Sequence, residues 1–227
     1  MYDWDFRWVW TYRYGLLEAL WITVELNAIV IAFGSVFGLF LALARSSRFK
    51  TVRALAIIYI DLLRTLPVLV LLIWFFFCVP ILLGGIRLSP MSAAAIVLSM
   101  NLAAFVAEIV RAGIEAVPRF HIEAADACKL SRPKAMRYVI LPIALRQMIP
   151  PLVGQYINTI KLSVLASVIA VPELLNKTTD LTSQVYRPLE FYTTLAIIFL
   201  LLLLPGTIWS RKLESSAFVK RLESSSN

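Results

Sequence analysis

Apolar residues run through this chain in blocks of about 20 or more, the length that carries a helix across a hydrocarbon core. Five blocks stand out, at 16–44, 54–83, 92–110, 143–171 and 191–210, with polar residues gathered between them. The pattern predicts an all-α, polytopic membrane protein with five transmembrane helices in one domain, 1–227. The second and fourth blocks exceed one crossing. Pro67 and Pro80 interrupt the second, and Pro150 and Pro151 stand near the start of the fourth. Each long block therefore reads as a helix joined to a broken or tilted piece. In the first block Gly34, Gly38 and Ala42 recur every four residues and share a face. Two readings fit that stripe: a close helix neighbour, or the ordinary small-residue content of a span.

Composition agrees. Of 227 residues 60% are apolar and 16% charged, more apolar surface than a soluble domain of this size can bury. The net charge of +8 would suggest nucleic acid in a soluble protein, but here its distribution gives topology instead, and no nucleic-acid partner is expected. Fifteen of the 22 basic residues lie in the links after the first and third blocks and in the tail, among them Arg45, Arg48, Arg119, Arg132, Lys134, Arg211, Lys220 and Arg221. The bias puts the N-terminus outside and the C-terminus inside, as an odd number of spans also requires. Trp4, Trp8, Trp10, Tyr12, Tyr14 and Trp21 crowd the start of the first block, and Trp209 ends the last. Such rings favour the headgroup level of membrane lipid, so the N-terminal segment suits an interfacial helix. Asp3 and Asp5 argue against a secretory signal. Cys78 and Cys128 fall in different settings, so no disulfide is expected, and with His121 the single histidine no metal site is expected. The chain carries no phosphate-binding Gly-x-x-x-x-Gly-Lys loop, so any ATP that drives it binds elsewhere.

The link at 111–142 is too long for a turn and too basic for lipid. Helix formers run through 122–130, and Ser131 with Pro133 suits the start of a second helix. Glu123 and Asp126 stand out as acids in basic surroundings. They either balance neighbouring charge or pair with an arginine on a partner.

This link resembles the EAA loop of permease subunits of type I ATP-binding-cassette (ABC) importers. Glu123-Ala124-Ala125 match the motif, and Val139, Leu141 and Pro142 follow at its spacing. Lys129 stands where the pattern has glycine. Residues 103–120, 62–72 and 160–174 are similar to the polar-amino-acid branch, the histidine-, glutamate- and glutamine-type permeases. Within them Arg64-Thr65-Leu66-Pro67 stands for the branch's Arg-Gly-Thr-Pro, and Leu162 for an acid after the lysine. The resemblance implies a multi-pass protein of the bacterial cytoplasmic (inner) membrane and a second permease subunit, identical or different. It also implies two cytoplasmic ATPases holding ATP and Mg, and an extracytoplasmic solute-binding protein. It implies ATPase coupling through Glu123, Ala124, Ala125 and Asp126.

Polar groups within spans are costly and usually face the bundle interior. The candidates are Glu25, Asn27, Asp61, Arg64, Asn101, Glu108, Gln155, Asn158, Thr159, Lys161 and Ser163. Asp61 with Arg64, and Glu108 with Arg111, are three apart and suit structural pairs. Arg64, Asn101, Gln155, Asn158, Lys161 and Ser163 are the candidates for a substrate pathway, the fourth block being the most polar. Other classes fit less well. An ion-coupled carrier or channel lacks its usual inverted repeat or filter signature. An intramembrane enzyme lacks paired aspartates or a nucleophile beside a base.

Overall fold

A computed structural model of the chain describes residues 2–225, with side chains as far as Lys212. The side chains of Lys220, Arg221 and the serine-rich tail lie outside the described residues. Regular structure among the described residues is helical throughout. The helices are α1 (Arg7–Thr11), α2 (Arg13–Arg45), α3 (Lys50–Thr65), α4 (Val68–Leu82), α5 (Pro90–Glu115), α6 (Arg119–Ala127), α7 (Arg132–Ala135), α8 (Leu141–Leu162), α9 (Leu174–Val185) and α10 (Pro188–Ser225). A π-helical turn, Met136–Ile140, joins α7 to α8, and a 3₁₀ segment, Ser163–Ile169, continues α8. By length and composition Arg13–Arg45, Pro90–Glu115, Arg132–Ile169 and Pro188–Lys212 can each cross a membrane. The arginine-rich ends of α2 and α5 lie together at what is here named the basic end. The opposite end, with the N-terminal tryptophans, is the aromatic end.

The 54–83 block is not one straight span. Helices α3 and α4 meet at a bend of 107°. Leu66 is extended there (φ −74°, ψ 136°), the conformation a following proline imposes. Pro67 has no N–H, so the carbonyl of Leu63 loses its donor four residues on. Asn101 replaces that donor: its Nδ2 donates to Leu63 O at 2.9 Å from the middle of α5. The bend and its seal thus come from two residues far apart in sequence. Pro80 lies inside α4 without ending it.

Helix α5 is the centre of the bundle. Ala93, Ala94, Leu98, Leu102, Ala103 and Ala107 on its faces are almost fully buried. Its small residues let neighbours approach from several sides, and α2 comes closest. A Cβ built on Gly34 would lie 2.8 Å from Leu102 Cδ2, and one on Gly38 would lie 2.8 Å from the carbonyl oxygen of Ala103. The small-residue stripe is therefore a close-packing seam, and its last member, Ala42, is buried with Leu41, Ile60, Ala103 and Ala107.

The fourth long block departs from expectation. The sequence predicts a block at 143–171 with Pro150 and Pro151 near its start, a helix joined to a broken or tilted piece. The helical run instead begins at Arg132 and passes both prolines, which lie inside α8. Its irregular parts lie elsewhere. The π turn ends at Leu141, whose N–H donates to Met136 O five residues back, and the next residue is Pro142, which has no N–H. At the far end Ala170 is left-handed (φ 60°) and turns the chain toward α9. Leu174 N–H then donates to Thr23 Oγ1 of α2 at 3.0 Å.

The Asn101 seal makes a quantitative prediction. Asn101→Ala leaves the Leu63 carbonyl without a donor, a loss of about 1–3 kcal/mol. Pro67→Ala returns an N–H to that carbonyl. In a double-mutant cycle on the purified chain, followed by thermal unfolding in detergent, Asn101→Ala should cost measurably less in the Pro67→Ala background. Strict additivity would remove the Asn101–Leu63 bond as the seal.

Candidate functional site

The segment between α5 and the Arg132–Ile169 helix begins with Pro118, whose extended backbone (ψ 137°) precedes the nine-residue α6. The helix starts at Arg119 and ends at Ala127, three residues earlier at each end than the expected 122–130. Its C-terminus closes by two bonds. Lys129 N–H donates to Asp126 O at 2.9 Å and Leu130 N–H to Ala125 O at 3.1 Å, a Schellman closure. That closure needs a left-handed residue after the cap, and Lys129 supplies it at φ 52°. The turn for which the family pattern uses glycine is therefore present here with lysine in its place. The second loop helix starts as expected, Ser131 being extended and Pro133 lying in the first turn, but the Ser131 side chain makes no cap bond. Helix α7 runs directly into α8 through the π turn, so the expected loop of 111–142 contracts to the residues between Glu115 and Arg132.

One side chain of α6 is buried. Ala125 is 3% exposed, and Ala135 across from it 6%. Small side chains here let α6 rest close against α7 and the π turn. Arg119, Phe120, Ile122, Glu123, Ala124, Asp126 and Ala127 are exposed, with Phe120 at 59%. The four expected coupling residues therefore divide: Glu123, Ala124 and Asp126 face outward, while Ala125 is turned into the protein's own loop.

An ionic knot lies at the basic end, where α5 leads into this loop. Glu108 Oε2 lies 2.7 Å from Arg45 Nη1 of α2 and 3.8 Å from Arg64 Nη1 of α3. Its other oxygen lies 2.5 Å from Arg111 Nη2, and Arg111 also pairs with Glu115. The expected Glu108–Arg111 pair is present with two further partners. The expected Asp61–Arg64 pair is not among the ion pairs of the described residues. Arg64 reaches to Glu108 instead, its guanidinium 5.5 Å from the centre of the Phe105 ring. Three helices thus share one carboxylate beside the exposed loop.

The six pathway candidates do not form one pocket within the chain. Asn101 is buried and bound to Leu63. Ser163 is fully buried, accepts from Asn27 Nδ2 at 2.9 Å and donates to Ile160 O. Arg64 belongs to the Glu108 knot. Gln155, Asn158 and Lys161 are spaced along α8. Asn158 and Lys161 are exposed, and Gln155 is half-buried, its Nε2 without an acceptor among the described residues. Gly154, on the same exposed face, has nothing within 4 Å of a Cβ position. Two grooves of about 610 and 420 Å³ are lined by apolar residues such as Phe33, Phe37, Met100 and Trp74, and by none of the six. Among the described residues no cluster of His, Cys, Asp and Glu could hold a metal ion, and Cys78 and Cys128 are free.

Lys129 gives this site its sharpest local test. A left-handed conformation costs an L-residue with a Cβ about 1–2 kcal/mol, which glycine escapes. Lys129→Gly should raise the thermal stability of the chain or leave α6 better protected in amide exchange. Lys129→Val should do the reverse, since β-branching tolerates this conformation least. Equal stabilities for the three chains would contradict the assigned turn.

Comparison with known proteins places this geometry in a family. Residues 34–218 match the family described as the binding-protein-dependent transport system inner membrane component. The glutamine transport system permease protein GlnP of Escherichia coli K12 is 32% identical over 213 residues, covering 94% of this chain and 96% of that one. The probable glutamine ABC transporter permease protein GlnM of Bacillus subtilis is 31% identical over 209 residues, covering 92% and 94%. Among solved structures, the crystal structure of an amino acid ABC transporter with histidines aligns with a TM-score of 0.88 at 31% identity, covering 95% of this chain and all of that one. An inward-facing MetNI methionine ABC transporter aligns with a TM-score of 0.67 at 20% identity, a likeness of fold alone. The chain belongs to the family of inner membrane components of binding-protein-dependent transport systems, alongside the permease subunits of amino-acid ABC importers.

Proposed function

We propose that this chain is the membrane-spanning subunit through which a separate ATPase drives the import of a polar amino acid. The observation that carries the reading is α6. It is a short helix held to its own protein by Ala125 and otherwise exposed, with Phe120 and Ile122 uncovered beside Glu123 and Asp126. An apolar patch flanked by acids is a surface for a cleft that offers apolar contact and an arginine. The ATPase holds ATP and Mg; this chain supplies the lever and the path, and it is not itself an enzyme. With the basic end in the cytoplasm, α6 meets the ATPase there, the N-terminus lies outside and the C-terminus inside, and the bent α3–α4 pair is the second of five spans. A second permease chain, two ATPases and an extracytoplasmic binding protein complete the assembly in the inner membrane.

The Glu108 knot gives a route for force. The loop joins α5 directly, and Glu108 ties α5 to α2 and α3 at the same end. Movement of α6 therefore moves three helices together, the rocking expected of alternating access. The exposed stripe of Gly154, Asn158 and Lys161 on α8 supports the translocation face. A lysine and an asparagine facing lipid would be costly, so this face suits a water-lined path beside the second subunit. Gln155, Asn158 and Lys161 are assigned to that path. Arg64, Asn101 and Ser163, with their groups committed to internal bonds, support its walls. The named relatives for glutamine and for amino acids support the substrate class.

Glu123→Arg tests the dock. In cells carrying the whole system, binding-protein-dependent amino-acid uptake should fall by roughly tenfold or more, the cost of breaking a close charge pair at an interface. The amount of chain in the membrane should not change, because Glu123 is exposed and its side chain makes no hydrogen bond or ion pair among the described residues. Full uptake by Glu123→Arg would contradict the dock.

A further inference from the structure

The N-terminal segment is bound to the far end of the chain. Residues 2–6 run without regular structure before α1 and lie against the start of α10. Tyr2 Oη donates to Glu190 Oε2 at 2.6 Å, and Asp5 N–H donates to Glu190 Oε1 at 3.0 Å. Arg187 Nη1 donates to Asp3 O at 2.8 Å and lies 3.6 Å from Glu190 Oε1. Glu190 is fully buried by these contacts. The ring of Tyr12 lies 6.4 Å from that of Phe191, one residue on. A carboxylate in the first turn of α10 thus acts as a pin for a strap 185 and more residues away in sequence.

Helix α10 also measures the depth of that pin. Between Phe191 and Trp209 no residue is charged. At 1.5 Å per residue this stretch is about 28 Å long, close to the thickness of a hydrocarbon core of about 30 Å. Glu190 therefore stands at one boundary of the core and Trp209 at the other. Whatever Glu190 holds lies at headgroup level.

The strap presents rings outward. Trp4, Phe6 and Trp8 are 41–51% exposed, and Trp10 and Tyr14 70%. Trp4 and Phe6 stack with centroids 5.6 Å apart. The Arg13 guanidinium sits 4.8 Å from the Trp10 centroid and 4.4 Å from that of Tyr14. Asp5 and Arg7 neutralise each other at 2.9 Å. The patch is aromatic and nearly neutral, and exposed Leu17, Trp21 and Val24 follow it along the first turns of α2. Water does not favour so many uncovered rings at one place, whereas the headgroup layer of a bilayer does.

We propose that residues 2–14 are a lipid-binding collar, pinned by buried Glu190, that seats in the phospholipid headgroup layer and sets the depth of α2 and α10. The partner is the phospholipid interface and not a second protein. Because rings rather than net charge carry the contact, uncharged phosphatidylcholine suffices and salt has little effect.

The test uses the full chain with Trp74→Phe and Trp209→Phe, so that emission comes from Trp4, Trp8, Trp10 and Trp21, in phosphatidylcholine nanodiscs. Lipids brominated near the headgroup should quench roughly twofold or more, and more than lipids brominated near the chain ends, while aqueous iodide quenches little. Strong iodide quenching with no bromolipid effect would overturn the proposal and assign the rings to water or a protein partner. Glu190→Gln in the same background should shift quenching toward iodide. If that chain does not fold, Tyr2→Phe, which removes one half-buried bond to Glu190, should shift it partway. An unchanged profile in the folded variant would refute the pin.

Discussion

Lipid offers no hydrogen bonds, so every backbone group that leaves a helix ladder inside the membrane needs a partner from the protein. Most of this structure follows from how that demand is met. The α3–α4 bend exists because Pro67 withholds a donor and Asn101 returns one. The turn after the 3₁₀ segment exists because Thr23 receives the N–H of Leu174 and the side chain of Glu173 accepts from Leu175 and Asn176. Glu173 is fully buried while it does so; burial pushes its carboxyl above the usual carboxylate range, against the pull of those two donors. Even Ser163 and Asn27 spend their polar groups across the α2–α8 gap. Buried polar residues in this bundle are therefore first of all partners for broken backbone or for one another.

That constraint separates structure from transport among the polar residues. A group already bonded inside the bundle is poorly placed to grip a passing solute. Of the six pathway candidates, those that remain uncommitted, Asn158 and Lys161 with the unpartnered amide of Gln155, fall along one helix, on or near the face that the rest of the chain leaves open. The same logic applies at the basic end. Glu108 is consumed by three arginines, and its value is mechanical, joining α2, α3 and α5 beside the loop that carries α6. The acids of α6 are spared and can meet a partner.

Much of this was legible in the chain before folding. The long apolar blocks became α2, α5, α8 and α10, Pro67 marked the bend of the second block, and the Gly34–Gly38–Ala42 stripe marked the closest seam. Local signals carry such features, because periodicity and proline act over a few residues. What escaped them was long-range. Arg64 was paired with Asp61 by spacing along one helix, yet a neighbouring helix brought Glu108 nearer. Nothing near Asn101 announced an orphaned carbonyl on α3, and nothing near Tyr2 announced Glu190. Ala125 belongs to the motif, but which way it points depends on Ala135 across the loop. Lys129 broke the glycine pattern without breaking the turn, because two backbone bonds hold it left-handed.

The central claim is that the chain is a path moved by another subunit's ATP hydrolysis. Proteoliposomes decide it most directly. The chain is reconstituted with and without its partner permease, ATPase and binding protein, and amino-acid uptake is followed with ATP on the ATPase side. Uptake should require the ATPase and hydrolysable ATP and be absent with the chain alone. Uptake by the chain alone, driven by an ion gradient and indifferent to ATP, would contradict the account.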